Sequence, residues 1–282
     1  MPKFTVFTPT YNRAHHIGFL YESLVRQTYK DFEWLIVDDG STDDTKELVQ
    51  SYVTEDKITI RYIYKNNGGK HTAINLGLQQ AEGELFFIVD SDDVLTEDAL
   101  QTLHNKEQHL SANVVGLVGM RGFKQSGKAM TRSFDKSELI ASSVEFTYQY
   151  GFMEETAICV KTDIARKYPF PEFDGEKFCP ESLLWNKLSR QYQFYYFDTI
   201  IYLGDYLEGG LTDNYAENFK KSYRTSAVCL NELFKHQLIP EPVKMHAAKT
   251  IVSLSKNSPL RMLFILKYLP LKYLLKVLKS RF

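Results

Sequence analysis

Strand-like and helix-like segments alternate along the first 120 residues, and this alternation restricts the possible folds more than any other feature. Short runs rich in β-branched and aromatic residues precede stretches whose apolar residues recur at helical spacing. The predicted strands are Phe4–Thr8, Glu33–Val37, Ile58–Tyr64, Leu85–Val89 and Val114–Met120, and the predicted helices are Ile17–Gln27, Thr42–Val53, Lys70–Ala81 and Thr96–His109. This order predicts right-handed βαβ units, and so a Rossmann-like α/β fold with a mixed, mostly parallel sheet flanked by helices.

A polar loop follows each of the first four predicted strands. These loops are Thr8–Arg13, Asp38–Ser41, Asn66–Lys70 and Asp90–Asp93. In open α/β sheets, ligands bind beyond the carboxyl ends of the strands. We therefore expect the four loops to converge at one edge of the sheet and to form a binding site.

The rest of the chain is less regular. Residues 121–215 contain strand-like aromatic pieces and one predicted helix, Ser182–Tyr192. We interpret them as the acceptor half of a domain that spans residues 1–215, with residues 1–120 as its ligand-binding half. Residues 216–282 are predicted to form a helical region that ends in a basic tail, 257–282.

Composition and charge narrow the class of protein. A hydrophobic content of 44% is typical of a globular chain. The net charge is −1, and residues 256–282 hold seven Lys or Arg and no acidic residue, which leaves about −8 (−1 minus +7) for the remainder. This mildly acidic body argues against a nucleic-acid-binding protein.

Three widely spaced cysteines, Cys159, Cys179 and Cys229, form no Cys-x-x-Cys pair. They predict neither a disulfide framework nor a zinc site, and they favour a reducing compartment. No signal peptide and no run of 18 apolar residues is recognisable. A cytoplasmic location is therefore expected.

The cluster Asp90-Ser91-Asp92-Asp93 is the strongest chemical signal. Three carboxylates within four residues repel one another unless a cation lies nearby, and oxygen ligands without His or Cys suit Mg²⁺ or Mn²⁺. Such an ion would neutralise a diphosphate. The structural alternative is an acidic start to the next helix, which the helix dipole favours.

Other loops carry groups suited to a nucleotide. Tyr11 can stack on a base, Arg13 can bind phosphate, and Asp39 can accept a hydrogen bond from a base or a ribose. Lys70 follows two glycines at the start of a helix, a setting that favours phosphate. Each of these residues, taken alone, has a structural alternative as part of a turn, a cap or the core.

Glu181 opens the predicted helix Ser182–Tyr192. A carboxylate at this position can cap the helix or act as a general base. The residue pattern by itself leaves both roles open.

In order and spacing, these motifs resemble those of the family 2 inverting glycosyltransferases, especially bacterial enzymes that build capsular or other surface polysaccharides. The matching segments are Thr8–Arg13, Val37–Asp43, Gly68–Gly77 and Val89–Asp93. The resemblance implies a GT-A fold, a divalent ion (Mn²⁺ or Mg²⁺) and a nucleotide-diphosphate sugar as donor, with UDP as the expected nucleotide. Residues 1–120 would then be the nucleotide-sugar-binding half.

The resemblance also assigns roles by position. Thr8, Pro9 and Tyr11 would line the base pocket, and Asp39 would contact the base. Lys70 would lie near the nucleotide. Arg13, because of its positive charge, is predicted to bind there as well. Asp90-Ser91-Asp92 matches the family's D-x-D motif. Asp92 would be the metal ligand, Asp90 would lie near the ribose and the metal, and Asp93 near the donor sugar.

The family's general base is usually the aspartate of a Glu-Asp pair four residues before a tryptophan. Here Glu181 stands four residues before Trp185, and Pro180 replaces the neighbouring acid. Glu181 is therefore predicted to be the base. Gly209–Thr212 resembles a Gly-rich loop of many relatives and is predicted to be a mobile lid near the donor.

The implied reaction is one in-line displacement with inversion at the anomeric carbon. Glu181 would take the proton of an acceptor hydroxyl, on a glycan or a polyprenyl-linked glycan, and the ion at Asp92 would stabilise the leaving diphosphate. One alternative is a nucleotidyltransferase acting on sugar phosphates, which would carry a Gly-rich loop with Arg and Lys after its first strand. The other is a non-catalytic nucleotide-sugar-binding module, which would lack a base.

The C-terminal tail has a two-sided helical pattern after Pro270. One face of this predicted helix holds apolar residues, and another holds lysines. The apolar residues are Leu271, Leu274, Leu275, Leu278 and Phe282, and the lysines are Lys272, Lys276 and Lys279. This pattern predicts a basic amphipathic helix on an anionic membrane surface, and thus a peripheral location on the inner face of the plasma membrane. The alternative is a helix that packs on the protein's own core or on a partner subunit.

Overall fold

The computed structural model describes residues 1–130, 137–205, 214–254 and 259–279. Within them, nine strands form one sheet. They are β1 (Phe4–Thr10), β2 (Phe32–Asp38), β3 (Thr59–Tyr64), β4 (Leu85–Ile88), β5 (Val94–Leu95), β6 (Val114–Phe123), β7 (Glu138–Ala141), β8 (Thr156–Lys161) and β9 (Gln193–Gly204). The predicted loop Gly209–Thr212 lies outside the described residues.

The sheet has the order β3-β2-β1-β4-β8-β6-β9-β5, with β7 paired to β9. Pairing is parallel among β1 to β4. Strands from the second half add antiparallel pairs, such as β4 with β8, beside one parallel pair of β6 with β9. The predicted mixed α/β sheet is confirmed. The continuous parallel part lies in the N-terminal half, because only there do helices connect consecutive strands that are neighbours in the sheet.

Helices cover both faces of the sheet and form the C-terminal region. They are α1 (Ile17–Val25), α2 (Thr45–Glu55), α3 (Lys70–Gln80), α4 (Ala99–Lys106), α5 (Ser143–Tyr148), α6 (Thr162–Ala165), α7 (Ser182–Leu188), α8 (Tyr215–Lys221), α9 (Tyr223–Leu233), α10 (Glu241–Leu254), α11 (Pro259–Leu266) and α12 (Leu271–Lys279). No helix in the described part of the chain combines the length and hydrophobicity needed to cross a bilayer.

Helix α2 begins three residues later than its sequence predicted. The Ser41 hydroxyl does not cap a helix but accepts a hydrogen bond from the Asn12 N–H. Asp43 accepts from the Ala14 N–H and from Thr45. These polar residues fasten the first two loops together, and the helix therefore starts only at Thr45.

The hydrophobic core consists of one cluster on each face of the sheet. Trp34 and Tyr21 are fully buried on one face, and Phe7 and Phe86 on the other. At Gly77 the absence of a side chain is essential, because a Cβ there would lie 2.2 Å from the Phe7 ring. This close approach presses α3 onto β1 and fixes the position of the loops at the strand ends.

A third cluster holds the C-terminal helices together. Tyr273 and Val277 of α12 are buried in it, and Tyr273 stacks near Phe234. Phe264 of α11 packs edge-on against Phe173, 5.6 Å between ring centres. The C-terminal helices thus contact the segment that leads towards Glu181.

Candidate active site

The four strand-end loops meet at one cavity of about 1030 Å³. The prediction that they converge is confirmed by this geometry. The cavity wall from the first half includes Pro9, Tyr11, Arg13, Asp39, Lys70, Asp90, Asp92 and Asp93, and the wall from the second half includes Glu181 and Trp185. Nine of the ten predicted site residues therefore surround one space.

Thr8 is the tenth of these residues and does not line the cavity. Its side chain is fully buried in β1, and its hydroxyl accepts a hydrogen bond of 2.9 Å from Trp34 Nε1. Thr8 therefore lies behind the cavity wall, and the expectation that its side chain lines the base pocket is wrong. The following residues, Pro9 and Tyr11, reach the cavity, and the Tyr11 ring is half exposed.

Asp39 lies at the wall of the cavity with its carboxylate already engaged. It pairs with Lys65 Nζ at 2.6 Å and accepts from the N–H groups of Gly68 and Gly69 at 2.9 and 2.7 Å. The carboxylate thereby fixes the loop that starts α3. The pairing with Lys65 was not predicted, because nothing in the sequence relates the two positions.

Gly69 allows the two halves of the domain to approach closely. Its φ is +94°, in the region that favours glycine, and a Cβ would lie 2.0 Å from the carbonyl oxygen of Lys177. The segment that leads to Glu181 is thereby brought against the first turn of α3.

Lys70 joins the acidic strand end to the predicted base. Its Nζ lies 2.6 Å from Asp90 Oδ1 and 2.7 Å from Glu181 Oε1. A lysine in the first turn of a helix is unfavourable to the helix dipole, and the two carboxylates offset that cost. Burial alone would lower the pKa of Lys70, but the charges of Asp90 and Glu181 outweigh it and raise the pKa.

Burial alone would raise the pKa of Asp90, but the charge and hydrogen bond of Lys70 hold it below its ordinary value. Glu181 occupies the N-cap position of α7 without any side-chain hydrogen bond to the helix. The structural alternative for Glu181, helix capping, is therefore not the arrangement found. Its carboxylate faces the cavity and is partly exposed.

Asp93 lies in a buried cluster that the sequence did not reveal. It pairs with Arg121 at 2.9 Å and accepts a hydrogen bond of 2.7 Å from the Tyr202 hydroxyl. Burial first, and then the charge of Asp90, raises the pKa of Asp93 to about 6. Arg121 and Tyr202 come from strands β6 and β9. The hint that the sequence offered was Arg121, a charged residue directly after the predicted apolar strand Val114–Met120.

The carboxylates at the end of β4 fit a divalent ion bound together with a substrate. Within the described ranges, no group of three or more His, Cys, Asp or Glu side chains is arranged to hold a metal by itself. Mg²⁺ bound with a nucleotide commonly takes one or two carboxylates and completes its shell with phosphate oxygens and water. Asp92, partly exposed at the cavity, and Asp90 supply such a set.

These features together define a class of protein. A mixed sheet with a parallel N-terminal half and acidic residues after β4 has the strand arrangement of the GT-A fold. The profile described as "Glycosyl transferase family 2" matches residues 5–167. The chain therefore belongs to glycosyl transferase family 2.

Several curated bacterial relatives resemble parts of the chain. Glycosyltransferase GlyG of Streptococcus pneumoniae is 37% identical over 112 residues, 39% of this chain and 37% of that protein. The poly(ribitol-phosphate) beta-N-acetylglucosaminyltransferase TarS of Staphylococcus aureus is 31% identical over 176 residues, 61% of this chain and 30% of that protein. The match to each spans less than two fifths of the relative.

A Campylobacter jejuni relative matches more of the chain. This GalNAc(5)-diNAcBac-PP-undecaprenol beta-1,3-glucosyltransferase is 31% identical over 202 residues, 69% of this chain and 62% of that protein. Among solved structures, TarS 1–349 in complex with UDP-GlcNAc aligns with a TM-score of 0.67 and 19% identity over 96% of this chain and 82% of that one. At this identity the alignment shows the shared fold.

Proposed function

We propose that the chain is a metal-assisted, inverting glycosyltransferase. It moves a sugar from a nucleotide-diphosphate donor, with UDP as the nucleotide, to a hydroxyl of a glycan or a lipid-linked glycan. One observation carries the proposal: Glu181 faces the acidic end of β4 across the cavity, and Lys70 bridges the two at 2.6 and 2.7 Å. The carboxylate proposed as the base and those proposed to bind the donor thus line one space.

The donor is held by the first half of the domain. Pro9 and Tyr11 line the pocket for the base, and Arg13 and Lys70 carry the positive charge that a diphosphate needs. Asp39 acts mainly through the loop at Gly68 and Gly69, whose N–H groups it orients. A UDP donor is supported by the TarS structures solved with UDP and with UDP-GlcNAc.

A divalent ion would be held by Asp92 and Asp90. When bound, it would supply positive charge that stabilises the departing diphosphate. Support comes from the carboxylate donor set and from a structural neighbour of the same fold, a mannosyltransferase solved with GDP-Man and Mn²⁺ at a TM-score of 0.54. Asp93, held by Arg121 and Tyr202, lies deeper and orients hydroxyl groups of the donor sugar.

Glu181 receives the proton of the acceptor hydroxyl. Its carboxylate is partly exposed to the cavity, where a bound acceptor would reach it, and the Lys70 ammonium 2.7 Å away holds it in place. The acceptor enters along the second half of the domain, past Trp185. The Campylobacter relative is named for a lipid-linked glycan acceptor, and the Staphylococcus relative for poly(ribitol-phosphate).

A ligand screen tests the donor and the metal together. Purified protein is heated with UDP-, GDP- and ADP-sugars, each with Mn²⁺ or with excess EDTA. We expect UDP-sugars to raise the melting temperature only when Mn²⁺ is present. No shift with any nucleotide sugar would contradict the proposal.

Product analysis separates this proposal from its alternatives. A nucleotidyltransferase would release pyrophosphate from a nucleoside triphosphate and a sugar phosphate. A non-catalytic module would bind the donor without ever hydrolysing or transferring its sugar. Release of UDP from the donor would exclude both.

We also propose that the tail 257–282 rests on an anionic membrane and brings the enzyme to the inner face of the plasma membrane. Exposed large apolar side chains are concentrated on α11 and α12: Met262, Leu263, Leu266, Leu271, Leu275 and Leu278. Helix α12 packs on the protein through Tyr273 and Val277. Most of its leucines therefore remain outward, among lysines, which suits a lipid surface.

A further inference from the structure

Two of the three cysteines meet beside the segment that carries Glu181. Cys179 Sγ lies 3.6 Å from Cys229 Sγ. Cys179 lines the cavity two residues before Glu181, and Cys229 belongs to α9. Since a disulfide has an S–S distance of about 2.05 Å, the two sulfurs need to approach by roughly 1.5 Å to form one.

The segment before Glu181 is already fastened to the first turn of α9. The buried Glu176 carboxylate accepts from the N–H and the hydroxyl of Thr225, at 2.8 and 2.7 Å. Cys229 lies one turn further along the same helix. A covalent bond from Cys179 to Cys229 would therefore shift the short stretch between this anchor and Glu181 rather than the helix.

We propose that Cys179 and Cys229 form a reversible oxidation site that reacts with small disulfide compounds, and that the bond formed inactivates the enzyme by displacing Glu181. The effect on activity rests on the proposed role of Glu181 as the base. A displacement of about 1 Å at a catalytic group can lower a rate roughly 10²-fold.

The chemistry balances as a thiol–disulfide exchange. The Cys179 thiolate attacks one sulfur of a compound R–S–S–R, which forms a mixed disulfide and releases R–S⁻. Cys229 then loses its proton and attacks Cys179 Sγ, which releases the second R–S⁻. The two protons of the protein thiols end on the two released thiols, and the two electrons reduce R–S–S–R.

The surroundings of the two thiols set the order of attack. Cys179 is buried from bulk solvent but lines the active-site cavity, whereas Cys229 is partly exposed and does not line that cavity. The hydrogen bond between the two thiols and burial also raise the pKa of Cys229 well above its ordinary value. Cys179 is therefore the first thiol to react and Cys229 the second. Cys159, fully buried in β8, serves as the control cysteine.

The test treats the full chain with oxidised glutathione and then with dithiothreitol. Free thiols are counted after denaturation, cross-linked peptides are identified by mass spectrometry, and sugar transfer is measured at each stage. We expect the count to fall from three to one (three minus two). Transfer should fall about tenfold or more, and dithiothreitol should reverse both changes.

Two variants locate the effect. In Cys229→Ala the exchange stops at the mixed disulfide on Cys179, so this variant should keep clearly more of its transfer rate after oxidant than the wild type. Cys159→Ala should be inactivated like the wild type. Equal inactivation of Cys229→Ala would assign the effect to a single modified thiol and overturn the proposal. A disulfide that leaves transfer unchanged would also overturn the proposal. The same holds if all three thiols remain free after treatment. The thiol count needs no catalysis, so a chain inactive even when reduced would contradict the proposed function while the count still decides the disulfide.

Discussion

At the residue scale, Glu181 shows how a side chain at a helix start can serve the cavity instead of the helix. Its backbone carbonyl accepts from the Leu184 N–H, as a helix start requires, but its carboxylate bonds to Lys70. The first-turn N–H groups of α7 receive no side-chain cap from Glu181. A free carboxylate is what a general base needs.

We predict that Glu181→Gln lowers kcat for transfer by about 10²–10⁴-fold, because the amide keeps the shape of the side chain but cannot accept the proton. Donor affinity should change little, since Asp90 still pairs with Lys70. Initial rates at saturating donor, with calorimetry for donor binding, measure the two effects. Exposed Glu97, outside the cavity, gives the matched control Glu97→Gln. Near-normal turnover of Glu181→Gln would remove Glu181 as the base.

We predict that Asp92→Ala weakens the binding of the metal ion while the fold is preserved. The Asp92 side chain is partly exposed and supports no other contact proposed for the cavity. The Mn²⁺ concentration for half-maximal donor binding should rise at least about tenfold, a loss of about 1.4 kcal/mol. Asp98→Ala, an exposed change at the start of α4, is the control. Full wild-type activity in excess EDTA would exclude the ion altogether.

At the element scale, α9 is tied to the end of α7 by one buried carboxylate. Glu232 lies 3.2 Å from Arg190 Nε and 2.9 Å from Lys235 Nζ, and His236 is also near. Burial would raise the pKa of Glu232, but the nearby His236, the hydrogen bond from Lys235 and the charge of Arg190 lower it to about 2. The ionised form of Glu232 therefore stabilises the contact between the two helices.

We predict that Glu232→Gln lowers the free energy of unfolding by about 2 kcal/mol at pH 7, because cations are left without their partner. Since the folded pKa lies below the ordinary value of 4.5, this contribution is present above pH 4.5 and is lost as pH falls towards 2. Urea unfolding at pH 7 and near pH 4 measures it. Glu217→Gln, an exposed change in α8, should leave the free energy of unfolding essentially unchanged. Equal costs for both variants would contradict the prediction.

The ends of helices and strands show where the local sequence pattern no longer predicts the structure. Strands β1 to β4 and helices α1 to α4 were predicted in type and order, because hydrophobic period and turn residues are local properties. Helix α7 ends at Leu188, four residues before the predicted end at Tyr192. The strand-like pieces at 194–197 and 200–203 form the single strand β9. Both differences arise where pairing with β6 decides the backbone path.

At the scale of the whole molecule, the C-terminal helices pack on the enzyme and present an apolar surface at the same time. Tyr273 is buried, yet Leu275, two residues later, is 50% exposed. The two alternatives for the tail, packing on the core and binding a membrane, thus involve different faces of α12. The active-site cavity and this surface belong to one described unit, since Phe264 packs on Phe173.

We predict that the full chain co-sediments with vesicles containing phosphatidylglycerol but not with pure phosphatidylcholine vesicles, because lysines on α12 attract anionic lipid and leucines insert. Leu275→Glu should abolish co-sedimentation without lowering the melting temperature. Leu238→Glu changes an equally exposed leucine outside the tail and should have no effect. Unchanged binding of Leu275→Glu would exclude this surface.

The sequence by itself determined the α/β alternation, the acidic strand end at Asp90–Asp93 and the family to which the chain belongs. These depend on residue order and short spacing, which local physics dictates. Only the tertiary structure decided that Lys70 bridges Asp90 and Glu181, that Arg121 and Tyr202 hold Asp93, and that Cys179 meets Cys229. These contacts join residues up to 111 positions apart in the chain. Only the folding of the whole chain brings such distant residues within bonding distance.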